Sequence, residues 1–251
     1  MADTSWGKVS EWYGEYLDND NDSYHVQVIR PNLLRLLNIK QDELVLDVAC
    51  GEGFFSRAMS EAGARVTALD ASPELIKMAK KKSDPRIDFR VLSADNMATI
   101  ADGRFKKAIC VLAIQNIAHL DKLVSEVSRV LEPGGQWIIV MNHPAFRIPK
   151  TSSWGFDEDK NTQYRRVDGY MSEQQIDMLM NPGGGKPIYT VSFHRPLQSY
   201  FKQLDKAGFA VKRAEEWISH KKSSKGPRAQ AEDNARHEIP LFMTLVAVKL
   251  P

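Results

Sequence analysis

From Glu43 to Asn142 the chain alternates short apolar runs with helical stretches, and no other feature restricts its fold so sharply. The runs LVLDVA, ARVTALD, IDFRVLSAD, KAICVLA and QWIIVMN read as strands. Helices are expected between them: through Arg57 to Ala62, from Pro73 to Lys82, and from about Asp121 to Leu131, where Pro133-Gly134-Gly135 closes the last. Strand, crossover helix and strand, repeated, predict a parallel sheet with helices on both faces. The runs lack polar alternation, as strands buried on both sides do.

The flanks are less regular. Residues 1–40 predict a helical cap of two helices, one from about Trp6 to Leu17 and one starting at Pro31 with Leu34, Leu37 and Ile39 on its apolar side. Between them the turn-forming run Asp18 to His25 reads equally as a solvated connector and as a flap over a site. Residues 143–194 break the rhythm and read as an insertion, a hairpin with a short helix, containing the turn Asn181 to Pro187 and the strand-like IYTVSFH. A helix from about Pro196 to Ala207, the strand FAVKRAEEW and a last strand PLFMTLVAVKL follow. Residues 220–238 are expected to form a mobile loop, because almost no apolar surface is available to offset their ordering entropy. The 251 residues are thus expected to form one domain.

Composition excludes several classes. The 34 basic and 32 acidic residues are mostly interspersed, which leaves no field for a polyphosphate backbone and argues against nucleic acid. No apolar run approaches the ~18 residues of a membrane span. The first residues lack the apolar stretch of a secretory signal, and Cys50 and Cys110 cannot form a disulfide framework, so a cytoplasmic protein is expected. Neither a membrane partner nor a metal is expected, and the chain should act as a monomer or homodimer.

The chemistry is concentrated in LDVACGEGFFSRA, Leu46 to Ala58, where a buried strand carrying Asp47 turns through Gly51 and Gly53 into a helix. Glycine there lets backbone approach a ligand closely. A G-x-G turn alone is shared with dinucleotide-binding folds. Asp70 closes the second strand and is placed to accept from both hydroxyls of an adenosine ribose, in NAD or S-adenosylmethionine alike. Asp47 discriminates, because a carboxylate just ahead of the glycines repels a pyrophosphate and suits an ammonium.

On these residues the chain resembles the class I S-adenosylmethionine-dependent methyltransferases, from about Leu44 to Val140 and more weakly to the end. Asp47 to Gly53 resembles the family's first motif, Asp70 with Ala71 and Ser72 its ribose-binding acid, and Ala94-Asp95-Asn96-Met97 its adenine-binding loop. LEPGG, Leu131 to Gly135, is similar to its turn before the fifth strand. The resemblance implies an α/β, seven-stranded Rossmann-like sheet with the last strand antiparallel, and S-adenosylmethionine as cofactor with S-adenosylhomocysteine as product. It implies that Asp95 accepts from the adenine amino group, that Asn96 and Met97 pack along the ring, and that Leu75 covers the other side unless it only packs its helix. Ala49, Phe54, Leu112 and Gln115 complete the expected cofactor set. Tyr24 and His25, with Tyr13 and Tyr16, would seal the methionine end, although helix packing explains Tyr13 and Tyr16 comparably well.

The substrate should lie beyond the carboxyl ends of the fourth and fifth strands, at Ile114 to His119 and Asn142 to Phe146. Methyl transfer needs in-line placement in a dry pocket, and a base only for some acceptors. For a hydroxyl acceptor a neutral histidine is the natural proton remover, with His143 ranked first, His119 second and His194 behind them; each reads also as a packing residue. AIQNIAH departs from the Asn/Asp-Pro-Pro-aromatic segment of adenine N6 or glutamine methyltransferases, and neither cysteine is placed to attack a cytosine. In the insertion, Trp154, Phe156, Tyr164, Tyr170, Met171, Met178, Met180 and Tyr189 offer apolar surface for a flat or lipophilic substrate, or a small core of their own. The expectation is a methyltransferase acting on oxygen or nitrogen of a small molecule. The alternatives are an NAD-linked oxidoreductase and a cofactor-binding protein without catalysis.

Overall fold

In the computed structural model, which describes residues 21–180 and 187–251, the five expected runs form β1 (Leu44–Val48), β2 (Arg65–Asp70), β3 (Asp88–Val91), β4 (Phe105–Val111) and β5 (Leu131–Asn142). Around them lie α1 (Arg30–Leu37), α2 (Phe54–Glu61), α3 (Pro73–Lys82) and α4 (Leu120–Val130). The insertion holds β6 (Ser152–Asp157), β7 (Thr162–Val167), β8 (Gln174–Leu179) and β9 (Tyr189–His194). α5 (Leu197–Lys206), β10 (Phe209–Trp217), α6 (Ala229–Glu238) and β11 (Phe242–Lys249) complete the chain.

One seven-stranded sheet runs in the order β10-β11-β5-β4-β1-β2-β3. β1 to β5 pair in parallel, and β11 runs antiparallel to both β5 and β10. The strand order reverses at β1, between β2 and β4, which is where open α/β sheets leave a crevice at the strands' carboxyl ends. Neighbouring residues of β1 divide between two cores. Leu46 and Val48 join Phe105 and Trp137 under α4 and α5, whereas Val45 joins Met59, Phe89 and Val140 under α1 to α3. Period-two side chains with helices on both faces account for the unbroken apolar runs. Among the described residues no helix is long and apolar enough to cross a membrane.

Three expectations change. The insertion is two antiparallel hairpins, β6 with β7 and β8 with β9, and no helix occurs among its described residues. Its β7, TQYRRV, alternates exposed and half-buried side chains, the period of a strand, and the first hairpin closes through Asn161 in the left-handed region at φ 46°. Residues 220–238 are not a structureless loop, because α6 occupies their second half and packs on β7. Its buried stripe is Ala231 and Ala235, one helical turn apart, and alanine buries too little surface to register as an apolar pattern. Helix α1 is preceded by a π-helical turn, His25–Ile29, so helical backbone begins ahead of Pro31. The helix Trp6 to Leu17, with Tyr13 and Tyr16, and most of the turn Asn181 to Pro187 lie outside the described residues.

The junction of β1 with α2 fixes the crevice. Gly53 precedes α2 at φ 83°, and a Cβ there would sit 2.9 Å from Phe89 Cζ and 3.3 Å from Ala79 Cβ. Gly53→Ala therefore combines a strained φ with overpacking and should lower stability by about 2–4 kcal/mol in urea unfolding. A midpoint equal to wild type contradicts this packing.

Candidate functional site

Beyond the carboxyl ends of β1 and β2, Ala49, Gly51 and Gly53 all adopt left-handed backbone, at φ 57°, 58° and 83°. The two glycines answer different needs. Gly53 yields to Phe89, whereas a Cβ on Gly51 would meet nothing within 4 Å, so it is Gly51 that leaves room for a ligand. Glu52, buried beneath the turn, pairs with Arg57 at 2.7 Å and Lys82 at 3.2 Å and ties the turn to α2 and the end of α3.

Two carboxylates face this turn. Asp47 is 2% exposed and accepts from the Ser56 hydroxyl at 2.5 Å. Burial pushes its carboxyl up to about 7; the Ser56 bond pulls it back, and the charge of Asp70 raises it further. Asp70 accepts from the backbone N–H of Gly51 and of Ser72, each at 2.9 Å, one on each oxygen. Burial raises Asp70 as well, against those amide donors. Each of its oxygens keeps a second acceptor direction, which a pair of vicinal hydroxyls can use. Among the described residues neither acid has a cationic partner. An ammonium with vicinal hydroxyls fits this pair; a pyrophosphate does not.

The other expected cofactor residues ring the same edge. Ala71 is half-buried, and Ser72 caps α3, accepting from the Leu75 N–H at 3.2 Å and donating to Glu74 at 2.8 Å. Leu75 is buried at 3% exposure. In the loop after β3, Ala94 is buried, Asp95 is half-buried and bonded to the Ser93 hydroxyl, and Asn96 is exposed. Met97 is wholly enclosed in the core, and its backbone is gripped by Glu126 at 2.5 Å and Arg129 at 2.9 Å of α4. Its side chain thus anchors the loop, leaving Asp95 and Asn96 at the rim. After β4, Leu112 stands at φ 53° with its carbonyl accepting from the Gln115 side chain at 2.6 Å, while Gln115 Oε1 is buried with no protein partner. Phe54 lies edge-on to Phe55 and His25. Tyr24 bonds Ser219 at 3.1 Å and meets Phe242 edge-on. His25 stacks on Phe55, and burial lowers its pKa to about 4, so its ring is neutral.

The histidines separate clearly. His143 is 4% exposed; its Nδ1 accepts from the N–H of Ala145 at 3.2 Å and Phe146 at 3.3 Å, and its Nε2 donates to Glu216 at 2.7 Å. Burial lowers its pKa against the pull of Glu216. Both nitrogens are therefore engaged in holding the turn after β5. His194 is buried and bonds the Tyr170 carbonyl at 2.8 Å within the insertion. His119 is exposed at the start of α4, and no side-chain hydrogen bond to its ring forms among the described residues. The loop carrying it is clamped by Arg195, which donates to the carbonyls of Ile117 at 2.9 Å and Ala118 at 2.8 Å. Sequence reasoning missed this clamp, and the adjacent buried His194 is its only local sign. A cavity of about 720 Å³ opens at the amino ends of β1 to β3, remote from both acids; a smaller one lies against the insertion.

Comparison with known proteins agrees with this geometry. Residues 46–139 match a family model described as a methyltransferase domain. The ubiquinone biosynthesis O-methyltransferase of Xanthomonas oryzae pv. oryzae is 31% identical over 135 residues, 51% of this chain and 56% of that protein. The chain therefore spans about half the length of this relative. An S-adenosylmethionine dependent methyltransferase from Mesorhizobium loti shares the fold with a TM-score of 0.70, at 23% identity over 87% of this chain and 96% of that one. The 1,6-didemethyltoxoflavin-N1-methyltransferase of Burkholderia thailandensis, solved with its substrate and S-adenosylhomocysteine, gives a TM-score of 0.54 at 16% identity, over 98% of this chain and 88% of that one.

Asp47 also sets a pH dependence. Its folded pKa lies above the unfolded value of 3.8, so the stability it contributes is full below pH 4 and is lost as pH rises through about 7. Asp47→Asn should flatten the fall in urea midpoint between pH 4 and pH 7; an identical slope in variant and wild type contradicts the burial of this charge.

Proposed function

We propose that the protein, whose residues 46–139 match a methyltransferase-domain model, is a class I S-adenosylmethionine-dependent methyltransferase that methylates a small molecule. The observation that carries this reading is the pair of carboxylates, buried Asp47 and half-buried Asp70, which have no cationic partner among the described residues and meet at the open face of Gly51. Asp70 holds the ribose hydroxyls, and Asp47 takes the amino acid ammonium. Asp95 and Asn96 meet the adenine edge, Leu75 closes one side of the ring, and the polar groups of Leu112 and Gln115 border the sulfur end. Phe54, Tyr24 and His25 exclude water there. When bound, S-adenosylmethionine supplies an electrophilic methyl group on a sulfonium centre. The named protein of Xanthomonas, matched over half its length, supports oxygen as the methylated atom. A nicotinamide dinucleotide is disfavoured by the two acids that its pyrophosphate would face.

Removal of the acceptor's proton falls to His119 in this reading. It stands on the rim loop after β4 with its ring unengaged, whereas His143 spends both nitrogens on the turn after β5. His143 then acts as a positioning residue.

S-adenosylhomocysteine should bind in calorimetry, and Asp70→Ala should weaken it by about 1.5–3 kcal/mol, the worth of hydrogen bonds to a charged acceptor. No binding, or binding of NADH in its place, ends the reading; binding without methylation of any acceptor supports a non-catalytic role. Once an acceptor is known, His119→Ala should lower kcat about 10²-fold with KM little changed. A larger fall in kcat for His143→Ala, at unchanged thermal stability, would return the base to His143.

A further inference from the structure

A cavity of about 250 Å³ lies between the turn after β5, the first insertion hairpin and the loop leading into β11, and Phe146, Arg147, Lys150, Ser152, Trp154 and Arg165 line it. Three of these are cations, and no carboxylate lines the cavity. Of the acids on the first hairpin, Asp157 pairs with Lys160, Asp168 with Arg166 and Glu158 with Arg228, and neither Asp159 nor Glu238 lines the cavity. Among the described residues Arg147, Lys150 and Arg165 have no acidic partner.

The two arginines differ in how they are held. Arg165 donates to the Phe146 carbonyl at 2.7 Å and to Ser152 at 2.6 Å, and its guanidinium lies 5.1 Å from the centre of the Trp154 ring. It is a rigid wall. Arg147 makes no side-chain hydrogen bond among the described residues and stays open to solvent, although enough protein surrounds it that burial holds its guanidinium below the usual arginine range. Arg165 is depressed too, first by burial and then by the charge of Arg147. Two neighbouring cations that repel one another at a recess open to solvent are an arrangement that a bound anion relieves. The recess stands at the carboxyl end of β5, beside the start of β11, and the Arg147 N–H bonds the His143 carbonyl at 2.8 Å. The histidine ring that holds Ala145 and Phe146 thereby fixes the turn that presents Arg147.

We propose that this cavity anchors the methyl acceptor, and that the acceptor is an aromatic oxyacid whose carboxylate or phosphate sits between Arg147 and Arg165 while its ring lies against Phe146 and Trp154. The assignment rests on the methyl-transfer reading above. The volume falls just below the ~300 Å³ at which pockets for larger ligands begin, which suits a single ring.

The test is calorimetric titration of the intact protein, at low salt, with benzoate, phenyl phosphate and the neutral isostere benzamide. At least one anion should bind about tenfold or more tightly than benzamide, and which anion binds better tells carboxylate from phosphate. Arg147→Gln should remove that preference, with S-adenosylhomocysteine titrated into the same variant to verify its fold. Equal binding of benzamide and the anions, absence of anion binding, or an unchanged preference in Arg147→Gln overturns the proposal. The benzamide comparison on wild type decides the matter even if the variant fails to fold. S-adenosylhomocysteine binding without anion binding sinks the oxyacid subsite alone; anion binding without S-adenosylhomocysteine binding sinks the methyl-transfer reading instead.

Discussion

A carboxylate buried at the end of the central strand, satisfied by one serine hydroxyl and facing a second acid, is the constraint around which the site is arranged. Burial raises the cost of ionising both Asp47 and Asp70, the charge of Asp70 adds to that of Asp47, and no cation among the described residues relieves it. Acids perturbed in this way cluster at functional sites. The sheet supplies the setting, since the reversal of strand order at β1 opens a crevice where both acids and Gly51 meet.

The central fold was legible because its strands are buried on both faces and its helices carry apolar stripes. β1 to β4, α3 and β11 therefore stand within a few residues of where periodicity and punctuation place them, the reversal of β11 being what the family resemblance implies. β5 instead begins at Leu131 and takes in the LEPGG segment expected as a turn. The two misread segments obey weaker signals. α6 is ordered by two alanines on β7 and by Arg228, paired with Glu158 and lying over Phe156, contacts that no local pattern announces. The insertion's second strand has the right alternation, but its half-buried face carries Gln163 and Arg165 rather than large apolar residues.

The site was legible in part, and for a physical reason. Acids and glycines at strand ends have few alternative uses, so Asp47, Asp70 and Gly51 stand out from spacing alone. Histidines do not. His143 reads as a base from its place after β5, whereas the structure gives its buried imidazole two amide donors on one nitrogen and a carboxylate on the other. Met97 and Gly53 also serve packing, which spacing does not reveal: Met97 is enclosed in the core with its N–H held by Glu126 of α4, and Gly53 lies against Phe89. Arg147 gave no sequence signal and Arg195 only its neighbour His194, because what distinguishes them is a cavity without acids around one and the two carbonyls held by the other.

The central claim is that Asp47 awaits a positive charge. Calorimetric titration of S-adenosylhomocysteine at pH 6, repeated in buffers of different ionisation enthalpy, counts the protons exchanged on binding. With the acid at about 7 in the free protein, binding of an ammonium should expel close to one proton at pH 6 and few at pH 8, and Asp47→Asn should abolish the release. Binding that exchanges no proton at either pH, or the same release from Asp47→Asn, would contradict the account.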